Sequence, residues 1–206
     1  MKILIGVPCM ETVQIEYVNS LLRLNKPQGT QILHVPLSLV YIAREKIIDF
    51  AIQNEFTHVM FIDSDMVFQS DMLARLVKHD KDIVSAMAFQ RKPPYNPCCY
   101  AELKIGALGE NIAKPITLDF SNLGLTEIEG CGMSNCLINV EVFKKIRETG
   151  EFCFFPVPGM GEDLAFCIRA RKAGYKIYAD TSITVGHMAS FIACRDTYEE
   201  WNEVDK

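Results

Sequence analysis

The sequence has no charge-free run of the ~18 residues that a membrane span requires. Its first apolar stretch, Ile3-Leu4-Ile5-Gly6-Val7-Pro8, is too short for a secretory leader, so the chain is read as cytoplasmic with no transmembrane segment. It has no Lys/Arg cluster or basic stripe, and its formal charge is −5. A phosphate-backbone binder needs several cations on one face, which excludes nucleic acid as the expected partner. Paired Cys-x-x-Cys spacing is also missing: among the eight cysteines, Cys131 with Cys136 and the adjacent Cys98 and Cys99 do not match a structural zinc site. With no secretory leader, and with Cys136, Cys153 and Cys167 inside apolar segments, the cysteines read as reduced core residues rather than a disulfide framework. The single tryptophan, Trp201, lies in a polar tail, and there is neither an internal repeat nor a flexible linker.

What is present is ordinary globular material: 49% hydrophobic and 23% charged residues, close to average usage. The 206 residues suit one α/β domain with a real core, spanning 1–206. Apolar runs alternate with helical patterns. Lys2 to Val7 reads as a strand stopped by Pro8, followed by a helix through Tyr17, Leu21, Leu22 and Leu24, then a turn at Pro27-Gln28-Gly29. Gln31 to Val35 is a second strand, and Leu39 to Asn54 a helix with Ala43, Ile47, Phe50 and Ala51 on its apolar side and Arg44, Glu45, Lys46 and Asp49 on the other.

His58 to Ile62 reads as a third, buried strand; Ser70 is the expected cap of a helix carrying Leu73, Leu76 and Val77; Ile83 to Phe89 is a fourth strand. From Pro93 to Gly130 no period dominates. Order returns with a strand over Met133 to Asn139, a helix over Val140 to Arg147, a Pro/Gly-rich loop from Phe154 to Gly161, and a helix from Glu162 to Ala173 stopped by Gly174. Two short strands, Lys176 to Ala179 and Ile183 to His187, complete a pattern that implies a mainly parallel sheet between helices.

The strongest chemical signal is Val59-Met60-Phe61-Ile62-Asp63-Ser64-Asp65, an apolar strand that delivers two carboxylates at its C-terminal end. Ligand sites of open α/β sheets lie at those ends. Like charges so close repel unless a cation or donor network compensates, and Mg²⁺ or Mn²⁺ favours such oxygens together with phosphates. Asp is also common in plain turns, so the motif alone is ambiguous. An Asp-x-Asp-x-Val run after an apolar strand further resembles the nucleophile motif of haloacid-dehalogenase-type phosphatases, although that motif usually occupies the first strand and two strand-helix units precede it here.

The remaining blocks run Gly130-Cys131-Gly132-Met133-Ser134-Asn135-Cys136-Leu137-Ile138, Val142-Phe143-Lys144-Lys145, Gly161-Glu162-Asp163-Leu164, Arg169-Ala170-Arg171-Lys172-Ala173-Gly174-Tyr175 and Val185-Gly186-His187. Their order and spacing resemble the second half of inverting family-two glycosyltransferases. The resemblance, which with the Ala43-Arg44 helix and the Asp-Ser-Asp strand covers most of the chain, implies a GT-A fold: a Rossmann-like, mixed but mainly parallel sheet flanked by helices. It implies a nucleoside-diphosphate-sugar donor, a UDP- or GDP-sugar, and a glycan, lipid-linked or protein acceptor.

It also implies a divalent ion, Mn²⁺ or Mg²⁺, on Asp65 and His187 with Asp63 near the ribose or metal, the donor on Pro8, Arg44, Asp63, Ser64 and Asp65, with Arg44 pairing either with the diphosphate or with Asp63, and Asp163 as the general base of an inverting transfer. Each residue has a plainer alternative. His187 would be a structural histidine, Glu162-Asp163 would offset a helix dipole, and Arg44 would be a solvated neighbour of Glu45. The residues after Pro8, Cys9-Met10-Glu11, depart from the family's usual polar set. A loop carrying Phe154, Phe155, Gly159 and Gly161 just before Asp163 suggests a lid that closes over the donor. Competing functions are the phosphatase, a nucleotidyltransferase on a similar sheet, and a non-catalytic sugar-nucleotide binder.

Overall fold

A computed structural model describes residues 1–106, 110–189 and 192–204. Its first half repeats strand and helix: β1 (Ile3–Cys9), α1 (Ile15–Arg23), β2 (Gln31–Pro36), α2 (Val40–Gln53) and β3 (His58–Ile62), then the short β4 (Met66–Val67), α3 (Met72–Lys78) and β5 (Ile83–Met87). A run of strands follows, β6 (Cys99–Lys104), β7 (Ile112–Pro115), β8 (Leu125–Ile128), β9 (Gly130–Cys131) and β10 (Asn135–Asn139). The chain then forms α4 (Val140–Arg147), α5 (Glu162–Lys172), β11 (Ile177–Thr184), β12 (Gly186–Met188), β13 (Ile192–Ala193) and α6 (Arg195–Val204).

Seven strands form the central sheet in the order β2-β1-β3-β10-β5-β11-β8. The pairs β1 with β2, β1 with β3 and β5 with β11 are parallel, while β10 runs against both β3 and β5, and β8 runs against β11. This is a mixed, mainly parallel α/β sheet. Alternate strand residues serve opposite faces, as the two-residue period demands. Leu4, Val59, Phe61 and Ile83 join one core cluster with Ile47, Phe143 and Phe166 of α2, α4 and α5. Ile3, Ile5, Met60 and Val84 join the other with Tyr17 of α1 and Leu73 and Leu76 of α3. Both faces are therefore covered, which is why these strands read as continuous apolar runs. At Gly6 an added Cβ would overlap the Ile47 side chain, so the missing side chain lets α2 lie close on β1.

Several expectations change. Ser70 does not cap α3: the residue before the helix is Asp71, which makes no side-chain cap bond, and the Ser70 carbonyl instead accepts from the Asn25 N–H at 2.8 Å. The two strands expected around Lys176 and His187 are one long β11, after which β12 leaves for a separate sheet ordered β13-β12-β4. The helix after Gly161 ends at Lys172, and the strand expected from Met133 starts at Asn135. The unassigned 93–130 stretch supplies β6, β7 and β8, the last of them an edge of the main sheet. The polar tail contains α6, whose Tyr198 ring lies 5.6 Å from Phe89 and whose Trp201 ring lies 5.7 Å from Tyr95. All eight cysteines are free. Among the described residues no helix is long and apolar enough to cross a membrane.

Candidate active site

The parallel strands bring their carboxyl ends to one edge of the sheet. β3 is buried from Val59 to Ile62 and then surfaces as Asp63-Ser64-Asp65. The Asp63 N–H donates to the Ser134 carbonyl at 3.1 Å and the Asp63 carbonyl accepts from Met66 N–H at 3.2 Å, which closes the turn into β4. A cleft of about 410 Å³ opens there, lined by Pro8, Cys9 and Met10 at the end of β1, by Thr12, Gln14, Ser38 and Val40, and by Asp63, Ser64 and Asp65. Four of the five expected donor residues thus share one cavity. The fifth, Arg44, lies behind it.

Arg44 is 2% exposed, so it is not a solvated partner of Glu45. Its Nη2 donates to Asp63 Oδ1 at 3.0 Å and its Nε lies 3.5 Å from Glu162 Oε1. A buried guanidinium therefore joins the end of β3 to the first turn of α5. Glu45 is buried as well, and its carboxylate bridges Arg147 at 2.8 Å and the Phe154 N–H, tying α2 to α4 and to the loop before α5. Phe154 is fully buried, stacked on Phe166 at 4.7 Å and edge-on to Phe61 at 5.3 Å. That packing makes Phe154 a core residue and argues against a lid that carries it; Phe155, 40% exposed, packs on Tyr41 and Phe152 instead.

Asp163 follows Glu162 in the first turn of α5 and accepts the Leu164 N–H at 2.7 Å. Burial, then the neighbouring Glu162 charge, push its carboxyl up to about 6, against the opposing pull of the Leu164 hydrogen bond and Arg44. Gly161 leaves room for it, since a Cβ there would come within 3.2 Å of Asp163 Oδ1. A carboxylate poised near neutrality is suited to take a proton from a hydroxyl.

On the other side of the turn, β12 pairs with β4 in a register that sets His187 opposite Met66, next to Asp65. His187 Nε2 lies 3.3 Å from Asp65 Oδ2, and Nδ1 faces the Phe89 carbonyl at 3.0 Å. A carbonyl only accepts, so Nδ1 carries a hydrogen and the neutral ring turns its Nε2 lone pair toward the carboxylate. Two lone-pair groups facing each other require a proton or a cation between them. Burial would lower the His187 pKa, but the Asp65 hydrogen bond and charge raise it overall. Burial likewise opposes Asp65, yet His187 and then Arg91 hold its carboxyl below the usual range.

Residues far apart along the chain are thus brought together about the strand end. Asp63 faces Arg44 rather than His187, and among the described residues no group of three or more His, Cys, Asp or Glu side chains is arranged to hold a metal. The donor set that does fit a cation is the imidazole-carboxylate pair, with Nδ1 fixed by a backbone carbonyl as metal-binding histidines usually are. Sequence reasoning missed Arg91, whose Nη1 lies 3.2 Å from Asp65 Oδ2, and also Thr12, Gln14 and Ser38, because nothing in their local pattern marks them.

No family model matches the chain, and no curated protein matches it by sequence. Solved structures do resemble it. A crystal structure of A197 from STIV matches with a TM-score of 0.64 at 19% identity, over 92% of this chain and 86% of that one. GalNAc-T7, crystallised with UDP, GalNAc and Mn²⁺, matches with a TM-score of 0.61 at 11% identity over 99% of this chain. TarS 1-349 from S. aureus, in complex with UDP-GlcNAc, matches with a TM-score of 0.53 at 13% identity over 88% of this chain. The chain spans 48% of the GalNAc-T7 chain and 58% of the TarS chain. At these identities the likeness is one of fold, and the fold is of the GT-A type.

Proposed function

We propose that the chain, as one domain over 1–206, is a glycosyltransferase that moves a sugar from a nucleoside diphosphate, UDP or GDP, to an acceptor hydroxyl on a glycan, lipid or protein. Its main support is the meeting of Asp65 with His187 beside a cleft that also holds Pro8, Asp63 and Ser64. The solved relatives that carry UDP or UDP-GlcNAc add a fold-level argument. Asp65 and His187 would hold Mn²⁺ or Mg²⁺, which when bound neutralises the departing diphosphate.

Within this proposal Pro8 and its neighbours receive the base, and Arg44 holds Asp63 toward the donor while steadying Glu162. Asp163 removes the proton from the attacking hydroxyl, and a base acting on the face opposite the leaving group gives inversion. A phosphatase with Asp63 as nucleophile is disfavoured, because the Asp63 Oδ1 is engaged by Arg44. Trapping of phosphate on Asp63 would revive it.

The direct test is thermal stability with UDP or GDP, with and without Mn²⁺. Ligand at 100 times Kd stabilises a folded chain by about 2.7 kcal/mol. Asp65→Ala is expected to abolish the Mn²⁺-dependent part of that gain; an undiminished gain in the variant would remove Asp65 from the site.

The Asp163 pKa of about 6 also sets a pH profile. A general base works only when deprotonated, so kcat/KM should be level above pH ~7 and fall about tenfold per pH unit below about 6. A profile flat down to pH ~4.5 would exclude a base with this environment.

A further inference from the structure

The two aspartates at the end of β3 are neutralised in different ways. Asp63 is held by Arg44, which is 2% exposed and has the rings of Phe61 and Phe154 at 5.3 and 5.7 Å from its guanidinium. That cation has no room to leave. Asp65 is held by Arg91 at 3.2 Å, and Arg91 is 51% exposed on the loop that follows β5. An exposed pair of this kind is weak and screened by solvent, so it opens readily.

The same oxygen, Asp65 Oδ2, faces both Arg91 and His187 Nε2. Whatever cation comes to the imidazole-carboxylate pair must compete with the guanidinium for that oxygen. The charge balance gives the guanidinium a second task. Around the strand end Asp63, Asp65, Glu162 and Asp163 stand against Arg44 and Arg91. A diphosphate entering such a surplus of carboxylates is repelled unless positive charge turns toward it. Arg44 is committed to Asp63 and Glu162. Arg91 alone of these two arginines is both exposed and paired at the cleft, and a planar guanidinium suits phosphate oxygens.

We infer that Arg91 is a displaceable place-holder: it covers the Asp65 carboxylate, yields it to a divalent cation, and carries its guanidinium to the diphosphate of the donor. The inference rests on the glycosyltransferase reading and assigns a binding residue that neither motif nor resemblance indicated. It gives the two arginines opposite characters, one a fixed strut and the other a mobile partner that links loading of the cation to capture of the nucleotide.

The test measures binding rather than turnover. Titrations of Mn²⁺ alone, and of UDP and GDP at saturating Mn²⁺, are made on the wild-type chain, Arg91→Gln, and Lys92→Gln as a control that removes the adjacent exposed charge. Relief from competition should let Arg91→Gln bind Mn²⁺ about two- to fivefold more tightly. Loss of a charge-assisted contact should weaken nucleotide binding about tenfold or more. Lys92→Gln should leave both nearly unchanged. Unaltered Mn²⁺ and nucleotide affinities in Arg91→Gln, weakening of both together, or equal effects in Lys92→Gln would overturn the assignment while leaving the transferase reading intact. Failure of the wild-type chain to bind either Mn²⁺ or nucleotide would instead bring down that reading, and the place-holder role with it.

Discussion

Asp163→Asn is expected to reduce sugar transfer about 10²–10⁴-fold, the usual contribution of a positioned general base, leave nucleotide binding in place, and make the protein more stable. The stability gain follows from the same environment that suits the residue to catalysis. Burial and the Glu162 charge raise the Asp163 carboxyl from 3.8 to about 6, so its ionised form is held at a cost near neutral pH. A tenfold change in proton affinity corresponds to ~1.4 kcal/mol, and because the side chain is half-buried and partly screened the recoverable amount is about 1–2 kcal/mol. Asparagine keeps an oxygen for the Leu164 N–H and loses the charge. For a chain of this size the melting midpoint should rise by a few degrees.

The linkage has a definite sign. The folded state binds this proton more tightly than the unfolded chain, so the residue's contribution to stability is present at low pH and is lost as pH rises from about 4 through about 6. The stability gap between Asp163→Asn and the wild-type protein should therefore widen across that window and be nearly closed below it. Calorimetry at several pH values checks this. A variant that melts lower at neutral pH would mean Asp163 mainly supports the fold, and one that retains full transfer would mean another group is the base.

Arg44→Met should have the largest effect on stability, a loss of about 3–5 kcal/mol, the range for removing one member of a buried pair. The methionine fills much of the same space between Phe61 and Phe154, so the cost would come from Asp63 and Glu162, which both lose their shared cation. Adding Glu162→Gln to Arg44→Met should recover part of the loss, since it removes one uncompensated charge. A second readout separates this from simple loosening. Arg44 pulls the Asp163 carboxyl down, so without it the acid limb of the pH profile should move above about 6. Urea denaturation and a pH series on the single and double variants measure both. Full stability in Arg44→Met would show that the buried network contributes little.

The alternation of strand and helix, the Asp-Ser-Asp strand end and the helix that starts at Glu162 were legible because each carries a local pattern: a run buried on both faces, a polar break, an acidic first turn. β11 was not. Asp180, Thr181 and Ser182 interrupt its apolar run and suggest a break between two strands, yet Asp180 and Thr181 are 4% and 5% exposed within one strand. His79 lies 2.7 Å from Asp180, and the Thr181 hydroxyl bonds the Gly124 backbone. Partners 101 and 57 positions away satisfy these groups, and polar residues so satisfied are at home in a core. The same blindness hid the burial of Arg44, though not its place at the site: its position on α2 looks like a polar face, because the acids that make that burial tolerable come from β3 and α5.

By itself the sequence determined the α/β class, the order of most elements and which strand end would present carboxylates, since these follow from periods and breaks within a dozen residues. The meeting of His187 with Asp65 was expected from the resemblance, but the tertiary structure alone decided that the β4 and β12 ladder brings it about, that β10 enters the sheet against its neighbours, and that one aspartate is bound to a fixed arginine and the other to an exposed one. Pairing, burial and charge compensation are relations between segments far apart in the chain. No local pattern encodes them, because their energies arise only when folding removes the intervening water.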